Sequence, residues 1–163
     1  MGTTDFLRRL HKEKALQLVE PSEILKDAYI KKSEGFLSSA RLLVENGRLE
    51  EAVSIAYYSM YYSVLALLYT TGIKCENHTA AAMLLKLVFD EDPEDLVKAK
   101  SERIETQYYV DAEITEEEVR HLLLSAEAFD AKMFDTVERM SKVDIEKYRE
   151  GLKKILAQPG KPK

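Results

Sequence analysis

Apolar residues return every three or four positions along most of this chain, and the breaks in that rhythm divide it into helices. Residues 5–19 read as a short first helix. Pro21-Ser22-Glu23 restarts the chain, with Ser22 placed to cap the next helix. There Leu25, Ala28, Tyr29, Phe36, Ala40 and Leu43 form one apolar stripe, and Glu45-Asn46-Gly47 closes the helix by supplying a left-handed residue. So tight a connection predicts that the following helix runs antiparallel.

From Ala52 to Ile73 the chain runs 22 residues without a charge, long enough to span a membrane. The stretch holds five tyrosines, three serines and two threonines, a composition that fits the buried central helix of a bundle, ended at Thr71-Gly72. A further helix is predicted from Asn77 to Phe89. Asp92-Pro93-Glu94 opens another, with proline at the first helical position and acids toward the positive end of the dipole, ending between Tyr108 and Asp111. Thr115 to Glu118 is a capping box ahead of Val119, Leu122, Ala126, Phe129, Met133, Val137 and Met140. Asp144 to Ala157 makes a last short helix, and Gln158-Pro-Gly-Lys-Pro-Lys reads as disordered.

Composition agrees with an all-α chain: six glycines and no tryptophan in 163 residues, with Ala, Leu, Glu and Lys abundant. The pattern divides it into an N-terminal short helix (1–20), a helical bundle (21–141) and a C-terminal helix with a basic tail (142–163). Cys75 stands alone, so it forms no intramolecular disulfide, and Met1 to Leu10 has no secretory apolar run; both fit a cytoplasmic protein. A net charge of −5 argues against broad duplex binding driven by counterion release. The charge is uneven, with thirteen acids against four bases between Glu76 and Glu118, and seven bases against three acids from Ser141 to Lys163.

The central segment Ala52-Val-Ser-Ile-Ala-Tyr-Tyr-Ser-Met-Tyr-Tyr-Ser-Val-Leu-Ala-Leu-Leu, then Gly72-Ile73 and His78, resembles the second core helix and following loop of HEPN domains, in particular the UPF0332-like prokaryotic members. Arg103 followed by Tyr108 and Tyr109, a short acidic stretch, and Thr115 opening a long helix with Ala126 and Phe129 is similar to the last part of that family. The likeness covers roughly residues 22–140. It implies an antiparallel up-and-down bundle of four to five core helices with short flanking helices, pairing as a homodimer. It further implies an RNA- or nucleotide-associated module, a toxin-like partner of a small nucleotidyltransferase-fold antitoxin. A metal-independent ribonuclease and a non-enzymatic assembly scaffold stay open as alternatives.

Metal-independent RNA cleavage needs a base for the 2′-hydroxyl, an acid for the leaving oxygen and a cation for the developing charge. Arg103 can supply the cation and hold a phosphate bidentately. Where the family pattern has arginine, four residues, then histidine, this chain reads Arg103-Ile-Glu-Thr-Gln-Tyr108, so Tyr108 replaces the histidine. A tyrosine near pKa ~10 offers on the order of one part in a thousand as phenolate at neutral pH, whereas histidine near ~6.5 is poised. The candidate catalytic set is therefore Arg103, Tyr108 and His78, and the candidate RNA or nucleotide contacts are Arg103, Tyr109, Tyr57 and Tyr61. On the bland alternative Arg103 pairs with Glu102 or Glu105, His78 caps a helix near Asn77 and Thr79, and the tyrosines pack into the core. His11, His78 and His121 have no second His or Cys at ligand spacing, so neither a metal nor a cofactor is expected.

Overall fold

The computed structural model describes residues 2–111 and 113–157. In chain order the elements are α1 (Thr3–Lys12), β1 (Leu16–Leu18), α2 (Glu23–Glu45), α3 (Leu49–Thr70), β2 (Ile73–Cys75), α4 (His78–Phe89), α5 (Glu94–Tyr108), α6 (Glu116–Arg139) and α7 (Lys142–Ala157). The all-α expectation holds, as an antiparallel helical bundle with two very short strands added.

The caps sit where the side chains permit. Ser22 Oγ accepts from Leu25 N at 3.2 Å, and Asn77 Oδ1 accepts from Ala80 N at 2.9 Å. Thr115 and Glu118 exchange the two bonds of a capping box, at 3.2 and 2.8 Å. Gly47, at φ 71°, turns α2 back into α3. Pro93 takes the position just before the first residue of α5 instead of that first position, and Asp92 Oδ1 accepts from Glu94 N at 3.0 Å.

Two expectations are corrected. The first helix stops at Lys12, because Lys14 turns left-handed (φ 62°) and Leu16-Gln17-Leu18 is extended. Leu16 pairs with Cys75, Gln17 with Lys74 and Leu18 with Ile73 in an antiparallel register, satisfying backbone groups that helix ends would leave open. In α2 the buried seam is Ser33, Leu37, Ala40 and Val44, while Leu25 and Ala28 face outward. The seam packs along α3, and its i, i+4, i+7, i+11 spacing lies about one residue round from the apolar stripe the sequence suggests.

Helix α3 is the axis, packed by α2, α6 and α5. It is long and apolar enough to cross a membrane by length and composition, yet most of it is enclosed by the bundle, and Tyr57, Met60, Leu67 and Leu68 have no exposed surface. On one side the Asp130 carboxyl of α6 is 2% exposed, and among the described residues neither of its oxygens has a hydrogen-bond partner. Ser33, Ser59 and Ser63 surround it, but their hydroxyls donate to the carbonyls of Ser59, Ala56 and Met60 at 2.7, 2.8 and 2.7 Å. Burial pushes Asp130 up to about 7, with the serines pulling weakly the other way. Helix α7 packs on α1 and α4. Its Arg149 donates to the carbonyls of Val19, Thr71 and Gly72 at 2.7, 2.9 and 3.1 Å, pinning the turn after α3.

Candidate functional site

The tyrosine pairs of α3 divide by helical geometry, since i and i+4 share a face. Tyr57 and Tyr61 point inward and are buried, while Tyr58 and Tyr62 are half-buried on the neighbouring face. Asn77 starts α4 just after β2, and this delivers His78 onto the inner pair. The imidazole stacks on the Tyr61 ring with centroids 3.9 Å apart and planes within 6°, and its Nδ1 lies 2.7 Å from the Tyr57 hydroxyl. Helix capping at this point falls to Asn77, which leaves the His78 ring for the tyrosines.

Helix α5 crosses above. The Arg103 guanidinium lies over the Tyr57 and Tyr58 rings at 5.4 and 5.1 Å from their centroids, a cation–π arrangement, and its Nη2 donates to Gln107 Oε1 at 3.1 Å. Among the described residues no carboxylate lies within ion-pair distance of Arg103, so it pairs with neither Glu102 nor Glu105. Lys100, one turn earlier, donates to Thr79 Oγ1 at 2.6 Å and likewise lacks an acid partner among them. Glu50 and Glu51 form the far wall of an adjoining cleft of 330 Å3 with Ser54, Tyr58 and Arg103, and Glu51 is paired with Arg48.

The local field follows from burial and from these two cations. His78 is held below its usual pKa by desolvation first, then by Arg103 and Lys100, so the ring is neutral at physiological pH. Lys100 is lowered by burial and by Arg103. Burial pushes the Tyr57 hydroxyl well above the ordinary phenol range, so it stays protonated. Its hydrogen-bond partner among the described residues is His78. With no other acceptor among them, the arrangement favours donation by Tyr57 to Nδ1, which puts the ring proton on Nε2.

The sequence-predicted residues thus fall into two groups. Arg103, His78, Tyr57 and Tyr61 come together. Tyr108 and Tyr109 stand at the end of α5 at 69% and 65% exposure, with no side-chain hydrogen bond among the described residues. One contributor escapes the sequence reading, Lys100, while Tyr58 belongs to the tyrosine set of α3 whose i, i+4 pairs the sequence places on two adjoining faces. The i, i+3 spacing of Lys100 and Arg103 on α5 was the available signal for Lys100. Among the described residues no group of three or more His, Cys, Asp or Glu is placed to hold a metal. Burial pushes the Cys75 thiol up to about 11, so it is inert as a nucleophile.

Together these features define a class: an all-α bundle whose tyrosine-rich axis carries an imidazole and two uncompensated cations contributed by the neighbouring helices. The chain belongs to the HEPN domain family, whose model matches residues 26–134. It is 44% identical over 69 residues to UPF0332 protein PH1297 of Pyrococcus horikoshii, a match covering 42% of this chain and 47% of that one. The chain thus spans about half the length of that relative. It is 30% identical over 109 residues, 63% of this chain and 81% of the other, to MJ0605 of Methanocaldococcus jannaschii, named as a candidate toxin.

Proposed function

We propose that this chain is a toxin-like HEPN protein that works as a homodimer and holds single-stranded RNA or a nucleotide by its phosphate, with a small nucleotidyltransferase-fold protein as its antitoxin. The observation that carries the reading is the pair Lys100 and Arg103, both without a neutralising acid, beside His78 on an aromatic floor. Two neighbouring cations repel each other, and a bound phosphate removes that cost. The Nε2–H of His78 adds a neutral donor, and the half-buried Tyr58 offers a base a ring to stack on. MJ0605, named as a candidate toxin, supports the toxin-like part of the reading. Tyr108 and Tyr109, exposed beyond the cluster, fit contacts to a longer strand or to a partner better than proton transfer.

A second reading is favoured by one observation: an imidazole from α4 stands beside Arg103, where the family pattern loses its own histidine to Tyr108. On that reading the chain is a metal-independent ribonuclease with His78 as base. It requires the ring to exchange tautomers, since Nε2 bears a proton while Tyr57 donates to Nδ1. Incubation of the full chain with single-stranded RNA and no metal, read by gel shift and by cleavage, separates the two. The binding reading predicts retention that weakens about tenfold, roughly 1.4 kcal/mol, in Arg103→Ala and again in Lys100→Ala, with intact RNA throughout. Cleavage abolished by His78→Ala establishes the second. Equal retention by wild type and both variants refutes the phosphate site.

A further inference from the structure

Helices α4 and α5 are joined by a tight reversal and bonded through Lys100 and Thr79, yet each packs mainly elsewhere: α4 on α3, α7 and α1, and α5 on α3 and α6. Between them lies a groove of 390 Å3. Ala82, Met83 and Leu87 line one wall and Pro93 and Val97 the other, with Thr3, Thr79, Lys86 and Lys100 completing a mostly apolar lining. Leu87 and Val97 are 41% and 51% exposed although large and apolar. Both walls follow helical spacing, 79, 83 and 87 on α4 against 97 and 100 on α5 with Pro93 at its cap, so the groove is a slot between two ridges.

The rim is polarised. At the end toward the candidate site stand Lys100 and, one turn on, Arg103, neither with an acid partner. At the reversal stand Asp90, Asp92, Glu94 and Asp95, all exposed; Lys86 pairs with Asp90 at 3.0 Å, and Lys132, paired with Glu91 at 2.7 Å, lies near Asp92 and Asp95, so acids outnumber bases there. A small polar ligand would find no donor or acceptor on the floor to orient it. A helix with an apolar face, acids at one end and bases at the other, matches both the slot and the charge gradient.

We infer that the α4–α5 groove docks an amphipathic helix of a partner protein, its apolar side chains between Met83, Leu87 and Val97 and its acidic end over Lys100. The inference goes beyond the phosphate reading and does not require it, because Leu87 and Val97 serve only the groove. The two are linked at Lys100: an acidic residue seated there occupies the cation that a phosphate would otherwise use, so partner and RNA compete at one edge.

The test uses the full chain and a synthetic helical peptide of roughly 14 residues, about 21 Å at 1.5 Å per residue, with leucines at i, i+3, i+4 and i+7, glutamates at one end and lysines at the other. A second peptide carries lysine in place of every glutamate. The first is expected to bind at least about tenfold more tightly than the second, and zero-length carbodiimide cross-linking is expected to join its glutamates to Lys100. Leu87→Glu, a surface substitution on α4 away from Arg103, is expected to abolish binding while leaving circular dichroism and RNA retention unchanged, and Val97→Glu is expected to abolish binding with unchanged circular dichroism. Peptide binding that is absent, or indifferent to Val97→Glu, overturns the inference. So does a change in the chain's own oligomeric state in Val97→Glu, which assigns the groove to a second copy, or direct binding of adenosine monophosphate that Leu87→Glu abolishes, which assigns it to a nucleotide.

Discussion

Three tyrosines of α3 surround the His78 imidazole, and the Tyr57 hydroxyl fixes which of its nitrogens faces outward. Nitrogen-15 shifts of His78 are therefore expected to report a neutral ring protonated at Nε2 at pH 7, and Tyr57→Phe is expected to release a mixture of tautomers. A ring protonated at Nδ1 in the wild type contradicts the assignment. Because the folded ring has its pKa lowered, protonation opposes folding: this group costs nothing above the unfolded value near ~6.5, and stability falls as pH drops through that value toward the folded one. Much of this site was legible from residue types. Arginine for phosphate and histidine for proton or hydrogen-bond transfer single out Arg103 and His78, and i, i+4 spacing places Tyr57 with Tyr61. Lys100 carried only its i, i+3 spacing to Arg103 as a signal, too weak in a charged helix to single it out before α4 brings Thr79 to its amine and leaves it without an acid among the described residues. The position of Tyr108, five residues past Arg103, suggested partnership, but the pattern of residues does not reveal that the end of α5 stands free of the bundle.

Helix α6 meets α2 and α3 around a buried carboxylic acid. Asp130 in the folded chain is raised to about 7 against 3.8 for the ordinary group, so the fold binds a proton that the unfolded chain releases. The penalty is absent below about pH 4, grows as pH rises to about 7 and is complete above it. Asp130→Asn is expected to flatten this slope and to raise stability at pH 8 by up to about 4 kcal/mol, measured by urea unfolding across pH. An unchanged slope locates the proton elsewhere. A second test belongs to the turn after α3. Gly72 sits at φ +67°, and a Cβ there would lie 2.3 Å from both Arg149 Nη1 and the Val19 carbonyl oxygen. Gly72→Ala is expected to cost at least about 2 kcal/mol in the same assay, because it combines a left-handed strain with a backbone clash. The caps at Ser22, Asn77 and Thr115 were readable because each is a local bond within four residues. The β1–β2 ladder was not, since it joins residues 16–18 to 73–75, and a three-residue strand carries too few positions to show its period.

At the scale of the whole molecule, one helix that carries no charge beyond its first turn organises everything else. Helix α3 supplies the core seam to α2, two of the three serines around Asp130 and the tyrosine floor to His78 and Arg103. Its lack of charge made it the easiest element to find. Which of its faces bears the site depended on where α4 and α5 land, and that is decided by long-range packing. The paired surface of the proposed homodimer is read by light scattering during size exclusion, where the account expects twice the chain mass, 18.7 kDa. The most direct test of the central claim, an anion site built from Lys100, Arg103 and His78, is retention of a short single-stranded RNA by wild type and by the Lys100→Ala/Arg103→Ala double variant at one fixed salt concentration. The account predicts that the double variant loses about a hundredfold in affinity, roughly 2.7 kcal/mol, with a shallower salt dependence. Equal affinity and equal salt slope for the two proteins would contradict it.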